Sequence, residues 1–207
     1  MKIIFVADAH LTGLGDPAQT RLVEFLTALA DSDAERPDMV VLLGDIFDFW
    51  TGFKSAVYQR YVPVLAALLG LTERGVKLLY VEGNHDFLMG EFFTDVLGAD
   101  VHGDNCRLSL EGKEVYLAHG DAVSMSLGYA TWRAFLRGRI FRLLKKLTSP
   151  ALVMSVAEML SKRSRAYGKR AEALDRRLKE FARRRIMSGF DVVVLGHSHR
   201  PGVQVVG

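Results

Sequence analysis

One cysteine, two tryptophans and five prolines stand in a chain of 207 residues. A lone thiol, Cys106, cannot close an intrachain disulfide, so a disulfide-stapled secreted scaffold is excluded and a reducing compartment is expected. No apolar run reaches the roughly 18–20 residues that a membrane-spanning helix needs. No charged start runs into an apolar leader with a small-residue cleavage site, so a cytoplasmic location is expected. Repeats and low-complexity tracts are also missing. What remains is 49% hydrophobic and 25% charged residues, enough apolar material for one sizeable core.

Acid is scarce in one stretch. From Arg133 to Arg185, 17 Lys/Arg stand against Glu158, Glu172, Asp175 and Glu180, a balance of +13, whereas the other residues carry 10 basic and 20 acidic groups. The net charge of +3 therefore hides an acidic part suited to cations and a basic part suited to phosphate, nucleic acid or an anionic lipid surface.

Short apolar runs at 2–7, 39–43, 76–81, 113–118 and 191–195 read as buried strands. Helical spacing of apolar residues covers 18–31 and 56–74, and this alternation predicts an α/β sheet with covered faces. Residues 106–118 predict a hairpin turning at Glu111-Gly112. Region 123–188 has no strand signal and predicts two or three helices broken at Ser149-Pro150, a helical insertion or lid within a single domain spanning 1–207. The final GVQVV reads as a strand lacking a partner, so the chain is expected to continue beyond Gly207.

Each strand-like run ends in metal-ligand residue types: Asp8-Ala9-His10, Gly44-Asp45-Ile46-Phe47-Asp48, Gly83-Asn84-His85-Asp86, His119-Gly120-Asp121 and Gly196-His197-Ser198-His199. Five of the six histidines lie in these clusters, with His102 outside. Open α/β sheets place their sites at strand C-termini. Oxygen and imidazole donors without thiolate suit Mn, Fe or Zn. Asp8, His10, Asp45, Asn84, His119, His197 and His199 are more ligands than one ion needs. Two ions sharing a carboxylate would acidify water as a nucleophile for displacement at phosphorus.

The five blocks D-x-H, G-D-x-x-D, G-N-H-D, H-G-D and G-H-x-H, in this order, resemble the calcineurin-like metallophosphoesterases. That resemblance implies an α/β (α+β) fold, a four-layer sandwich of two mixed β-sheets flanked by helices. It also implies Asp8, His10 and His199 on one metal, Asn84, His119 and His197 on the other, and Asp45 bridging. His85 would face the scissile phosphate, oriented by Asp48, as the catalytic pair. Asp86 and Asp121 are expected to fix loops.

Finer features resemble the UDP-2,3-diacylglucosamine hydrolases of lipid A biosynthesis: DAHL at 8–11, GDIFDFW at 44–50, NHDFL at 84–88, GHSHRP at 196–201, and Gly128-Tyr129 followed by Trp132-Arg133. This implies a lid over two Mn²⁺ ions and substrate contacts from Trp50, Phe49, Phe47, Tyr129, Ser164 and Lys169. The better-known branch has arginine where this chain has His85, and an acid where it has Ser126.

Residues 133–147 mix Arg/Lys with large apolar residues, as an amphipathic helix does on an anionic membrane. A lipid-linked nucleotide sugar as substrate fits that reading, with the protein peripheral on the cytoplasmic face of the inner membrane. Nucleic acid competes for the same charge, but no aromatic-basic stacking ladder is present. A non-catalytic scaffold would have lost ligands, and all seven are present.

Overall fold

The computed structural model describes residues 1–153, 155 and 171–206. They form two compact units, Met1–Gly103 and Asp104–Gly207.

The first unit is built on four strands, β1 (Ile3–Val6), β2 (Met39–Leu42), β4 (Lys77–Val81) and β6 (Asp100–His102), in the order β1-β2-β4-β6. All three pairings are parallel, with Val6 opposite Leu42 and Leu42 opposite Tyr80. The α/β architecture expected from the family resemblance is found, with the sheet of this unit parallel throughout rather than mixed. Strands β2 and β4 are almost wholly buried, which is why they read as unbroken apolar runs rather than alternating ones. Parallel neighbours need crossovers, and α1 (Pro17–Asp31) and α2 (Val62–Glu73) supply two of them. Helix α2 starts later than its apolar spacing suggests, because Pro63 fits only the first turn and Gln59–Tyr61 form a 3-10 turn before it. Leu26 and Leu29 of α1, Leu65, Leu68 and Leu71 of α2, and the strand residues Val40, Val41, Leu79 and Tyr80 form the core. Two further residue pairs, β3 (Trp50–Thr51) and β5 (Asp86–Phe87), run parallel beside each other.

The second unit holds β7 (Asn105–Leu110), β8 (Lys113–Ala118) and β9 (Val192–Leu195) in the order β7-β8-β9. The first pairing is antiparallel and the second parallel, so this sheet is mixed. Glu111 and Gly112 make the hairpin turn at φ of 52° and 80°, the left-handed pair that a two-residue hairpin with matching twist requires. Helices α3 (Leu127–Arg137) and α4 (Arg139–Lys146) meet at Gly138, whose extended backbone ends one and opens the other. A Cβ at Gly138 would stand 2.9 Å from the Ala134 carbonyl oxygen. The sequence shows the break at Ser149-Pro150, where Ser149 Oγ accepts from Leu152 N–H, but not this earlier one. Helix α5 (Ala171–Met187) seats Leu178 in the core and Phe181 against Tyr116. Residues 201–206 form no strand, and Val203 is 98% exposed, so apolar alternation alone does not make one without a partner.

The start of α1 gives a test. Asp16 caps it, its carboxylate accepting from Ala18 N–H at 2.8 Å and from Thr12 N–H at 2.8 Å. Burial pushes this carboxyl up, but the amide bonds from Thr12 and Ala18 outweigh it and hold it below the ordinary 3.8. Asp16→Ala is expected to lower stability by about 0.5–2 kcal/mol in urea melts near neutral pH. The wild type's advantage is present above the ordinary carboxyl range and disappears as pH falls through the lowered value.

Candidate metal centre

Parallel pairing sets where the ligand residues emerge. In the first unit β1, β2 and β4 run in register, so Asp8, Asp45 and Asn84 all follow strand C-termini at the same end of the sheet. In the second, Ala118 lies opposite Leu195 on parallel strands, so His119 and His197 likewise emerge together.

The backbone at these residues is strained. Among the described residues, seven non-glycine positions have positive φ: Asp8, His10, Asp45, Leu88, Glu111, His197 and His199. Five of the seven are sequence-predicted metal ligands. A left-handed conformation costs a residue with a Cβ about 1–2 kcal/mol. Such strain clusters at functional sites where surrounding bonds over-determine the backbone.

Those bonds are visible. Asp8 N–H donates to Gly44 O at 3.1 Å, His10 N–H to Asp45 O at 2.9 Å and Leu11 N–H to Ile46 O at 2.9 Å, joining the first two motif loops. Asp86 fastens the second loop to the third. Its fully buried carboxylate accepts from the N–H groups of Asp45 (2.9 Å), Ile46 (2.7 Å), Phe47 (3.3 Å) and Gly83 (2.9 Å), and from the Tyr80 hydroxyl (2.6 Å). Each of these partners is a donor, which suits an acceptor-only ionised carboxylate. Burial and the neighbouring Asp86 charge push the Tyr80 phenol far above its ordinary range, so it stays a proton donor. Gly83 has no space for a side chain, since a Cβ would overlap Asp45 Oδ1 and stand 2.8 Å from Asp86 Oδ1.

Within this frame the first unit gathers His10, Asp45, Asp48 and His85. His10 Nε2 lies 3.6 Å from Asp45 Oδ2, and His85 N–H donates to Asp45 Oδ1 at 2.9 Å. The His10 and His85 rings meet edge to face at 4.8 Å. One donor atom each from His10, Asp48 and His85 falls within 4.8 Å of the others. His85 Nδ1 is 2.7 Å from the main-chain oxygen of Asp48. A carbonyl only accepts, so Nδ1 carries a proton and Nε2 is the atom left for chemistry. This contact runs through the Asp48 backbone, whereas the sequence drew attention to its carboxylate. Asn84 is half-buried on the same loop.

In the second unit His119 is fully buried, and its Nε2 lies 3.1 Å from His197 Nδ1. Two imidazole nitrogens bound at about 2.0–2.1 Å to one ion stand roughly 3 Å apart at a right angle, so this spacing fits a shared metal. Gly196 N–H donates to His119 O at 3.0 Å, locking the two loops together. His199 is exposed. Asp121 holds the start of the helical region: its Oδ2 accepts from the Tyr129 hydroxyl at 3.0 Å and from Arg133 Nε at 2.9 Å. Burial alone would lower the Arg133 guanidinium, but Asp121 and Asp104 raise it and keep it charged. Tyr129, read as a substrate contact, thus also anchors α3.

Trp50 departs from expectation. It is 1% exposed, its Nε1 donates to Met89 O at 3.0 Å, and it lies among Phe47, Tyr58, Tyr61 and Phe93. It is a core residue, and Phe47, fully buried, belongs with it. Ser164 and Lys169 lie outside the described residues. Sequence reasoning missed the Tyr80–Asp86 bond and the Arg133–Asp121 pair, which join residues with no shared motif.

Imidazoles and carboxylates clustered at strand C-termini, with oxygen and nitrogen donors alone, fit divalent-metal chemistry. The calcineurin-like phosphoesterase family model matches residues 1–201, and the chain belongs to that family. It is a metal-dependent phosphoesterase whose residues fit divalent ions. It is similar to the UDP-2,3-diacylglucosamine hydrolase of Aeromonas hydrophila, with 28% identity over 98% of this chain and 83% of the relative. The same-named protein of Ectopseudomonas mendocina is 30% identical over 97% of this chain and 82% of the relative. That of Porphyromonas gingivalis is 29% identical over 84% and 67%.

Asp86→Ala is expected to strand several buried donors at about 1–3 kcal/mol each, lowering stability by at least roughly 3 kcal/mol. Urea denaturation checks this, and a loss below about 1 kcal/mol would show that the loops do not depend on Asp86.

Proposed function

We propose that the chain hydrolyses the pyrophosphate bond of UDP-2,3-diacylglucosamine to UMP and 2,3-diacylglucosamine 1-phosphate. The observation that carries this reading is the similarity along nearly the whole chain to proteins named UDP-2,3-diacylglucosamine hydrolase. Water adds across the P–O–P bridge, so one phosphoryl group leaves with uridine and the other with the sugar.

Asp8, His10 and His199 would hold one divalent ion, Asn84, His119 and His197 the other, with Asp45 serving both, and Mn²⁺ is the ion proposed for them. When bound, the pair supplies an acidified water and polarises the phosphoryl oxygens. His85, with Nδ1 committed to the Asp48 carbonyl, presents Nε2 to the leaving oxygen as the proton donor. Tyr129 would contact the substrate, and Ser164 and Lys169 would meet the nucleotide or its phosphates.

The helical region supports a lipid substrate. Leu127 (89% exposed), Ile140, Leu143, Leu144 and Leu147 stand in solvent beside exposed Arg139, Arg142 and Lys146. Large apolar side chains interleaved with cations suit the interface of an anionic membrane. Among the described residues no helix is long and apolar enough to cross a membrane. The protein works as a peripheral enzyme on the cytoplasmic face of the inner membrane. His85, where the better-known branch has arginine, favours a second reading: a phosphodiesterase or nuclease using the same metal site.

With Mn²⁺ added, UMP release from UDP-2,3-diacylglucosamine is expected. Activity on DNA, RNA or cyclic nucleotides but not on this lipid selects the second reading. His119→Ala is expected to abolish turnover with the circular dichroism spectrum unchanged, and full activity would refute its assignment. His85→Gln is expected to lower kcat by about 10²–10⁴ with metal content retained.

A further inference from the structure

Helix α5 distributes its cations unequally. Arg185 lies over the rings of Tyr116 and Phe181 at 4.7 and 4.9 Å, so it is part of the packing. Lys179 pairs with Asp175 at 2.8 Å, an ordinary solvated pair one turn apart. Arg176, Arg177 and Arg184 do something else. With Ala173, Glu180 and Val123 they line an open cavity of about 480 Å³ between α5 and the 3-10 turn Asp121–Ser124.

Residues 173, 177, 180 and 184 follow one helical stripe, and alanine at 173 leaves room at its end. Arg177 is aimed by Ser124, whose Oγ accepts from its Nη1 at 2.5 Å. Glu180 is the one carboxylate of the lining and stands four residues from both Arg176 and Arg184. The cavity therefore carries three guanidiniums against one carboxylate. All three cations are arginine, whose planar fork binds phosphate oxygens in pairs where lysine offers a point charge. The volume falls in the range of about 300–1,000 Å³ typical of small-molecule sites, more than a bare phosphate fills.

We propose that this cavity is a binding site for a phosphate carrying an organic substituent, held by Arg176, Arg177 and Arg184 and separate from the metal ligands. The shared chemistry is a phosphate ester, whether the head group of a membrane lipid or a soluble phosphate. The site needs neither metal nor turnover.

The test measures binding of sn-glycerol 3-phosphate and inorganic phosphate to the full chain by calorimetry, alongside flotation with phosphatidylglycerol vesicles. It is repeated in a His119→Ala background, so that phosphate held at the metal ligands is separated and failure of the hydrolase reading leaves the result intact. Both Arg176→Gln/Arg184→Gln and the charge-preserving Arg176→Lys/Arg184→Lys are expected to weaken glycerol phosphate at least about tenfold. Arg139→Gln/Arg142→Gln, which removes equal charge from α4, is expected to change it by less than about twofold. Flotation lost in the α5 variants and competed by glycerol phosphate assigns a lipid head group. Flotation unchanged with glycerol phosphate binding lost assigns a soluble ester. Wild-type affinity in the lysine variant, or equal weakening by the α4 variant, overturns the proposal, because general positive charge would then account for the binding.

Discussion

Asp86 is the fastening on which the motif loops of the first unit depend. One carboxylate takes five donors from three stretches of chain: the end of β4, the loop after β2 and the turn before β5. Without it, Asp45 and Ile46 would bury unpaired amides beside a residue already held at a φ of 53°. An ionised group is expensive to bury, and only full hydrogen bonding makes it tolerable. Gly83 follows from the same constraint, because the carboxylates of Asp45 and Asp86 occupy the space a side chain would need.

Hydrogen bonds between the motif loops hold their strained residues in place. Asp8, His10, Asp45, His197 and His199 all sit in the left-handed region, and relaxing any of them would swing its side chain away. Bonds between loops oppose that relaxation: Asp8 and His10 to the second motif in one unit, Gly196 to His119 in the other. A site preorganised in this way loses little ordering entropy when it binds its ligand. The cost appears as local strain, and the buried strands and helices around it offset that strain.

Much of this was legible in the sequence, and the rest was not, for identifiable reasons. Buried parallel strands announce themselves as apolar runs, so β1, β2, β4, β8 and β9 fell where 2–7, 39–43, 76–81, 113–118 and 191–195 indicated. Strand β6, only Asp100–His102, is too short and polar to show a pattern. Gly138 carries no break signal in the sequence, because its extended backbone is a tertiary fact. Trp50 was expected to contact substrate through the family resemblance. Its burial is set by Tyr58, Tyr61 and Phe93, which are distant in sequence or invisible to motif reasoning. Asp48 drew attention as a carboxylate, while the contact to His85 Nδ1 comes from its carbonyl, and no residue type encodes a main-chain atom. Asp86 and Asp121 were expected to fix loops, and their hydrogen bonds are of that kind.

The proposed hydrolysis rests on two divalent ions that share Asp45. Electron paramagnetic resonance of the Mn²⁺-loaded protein, with metal content determined on the same sample, addresses it most directly. The account predicts two manganese ions per chain with the spin-coupled signal of a pair about 3.5–4 Å apart. One ion per chain, or two with the spectrum of isolated Mn²⁺, would contradict it.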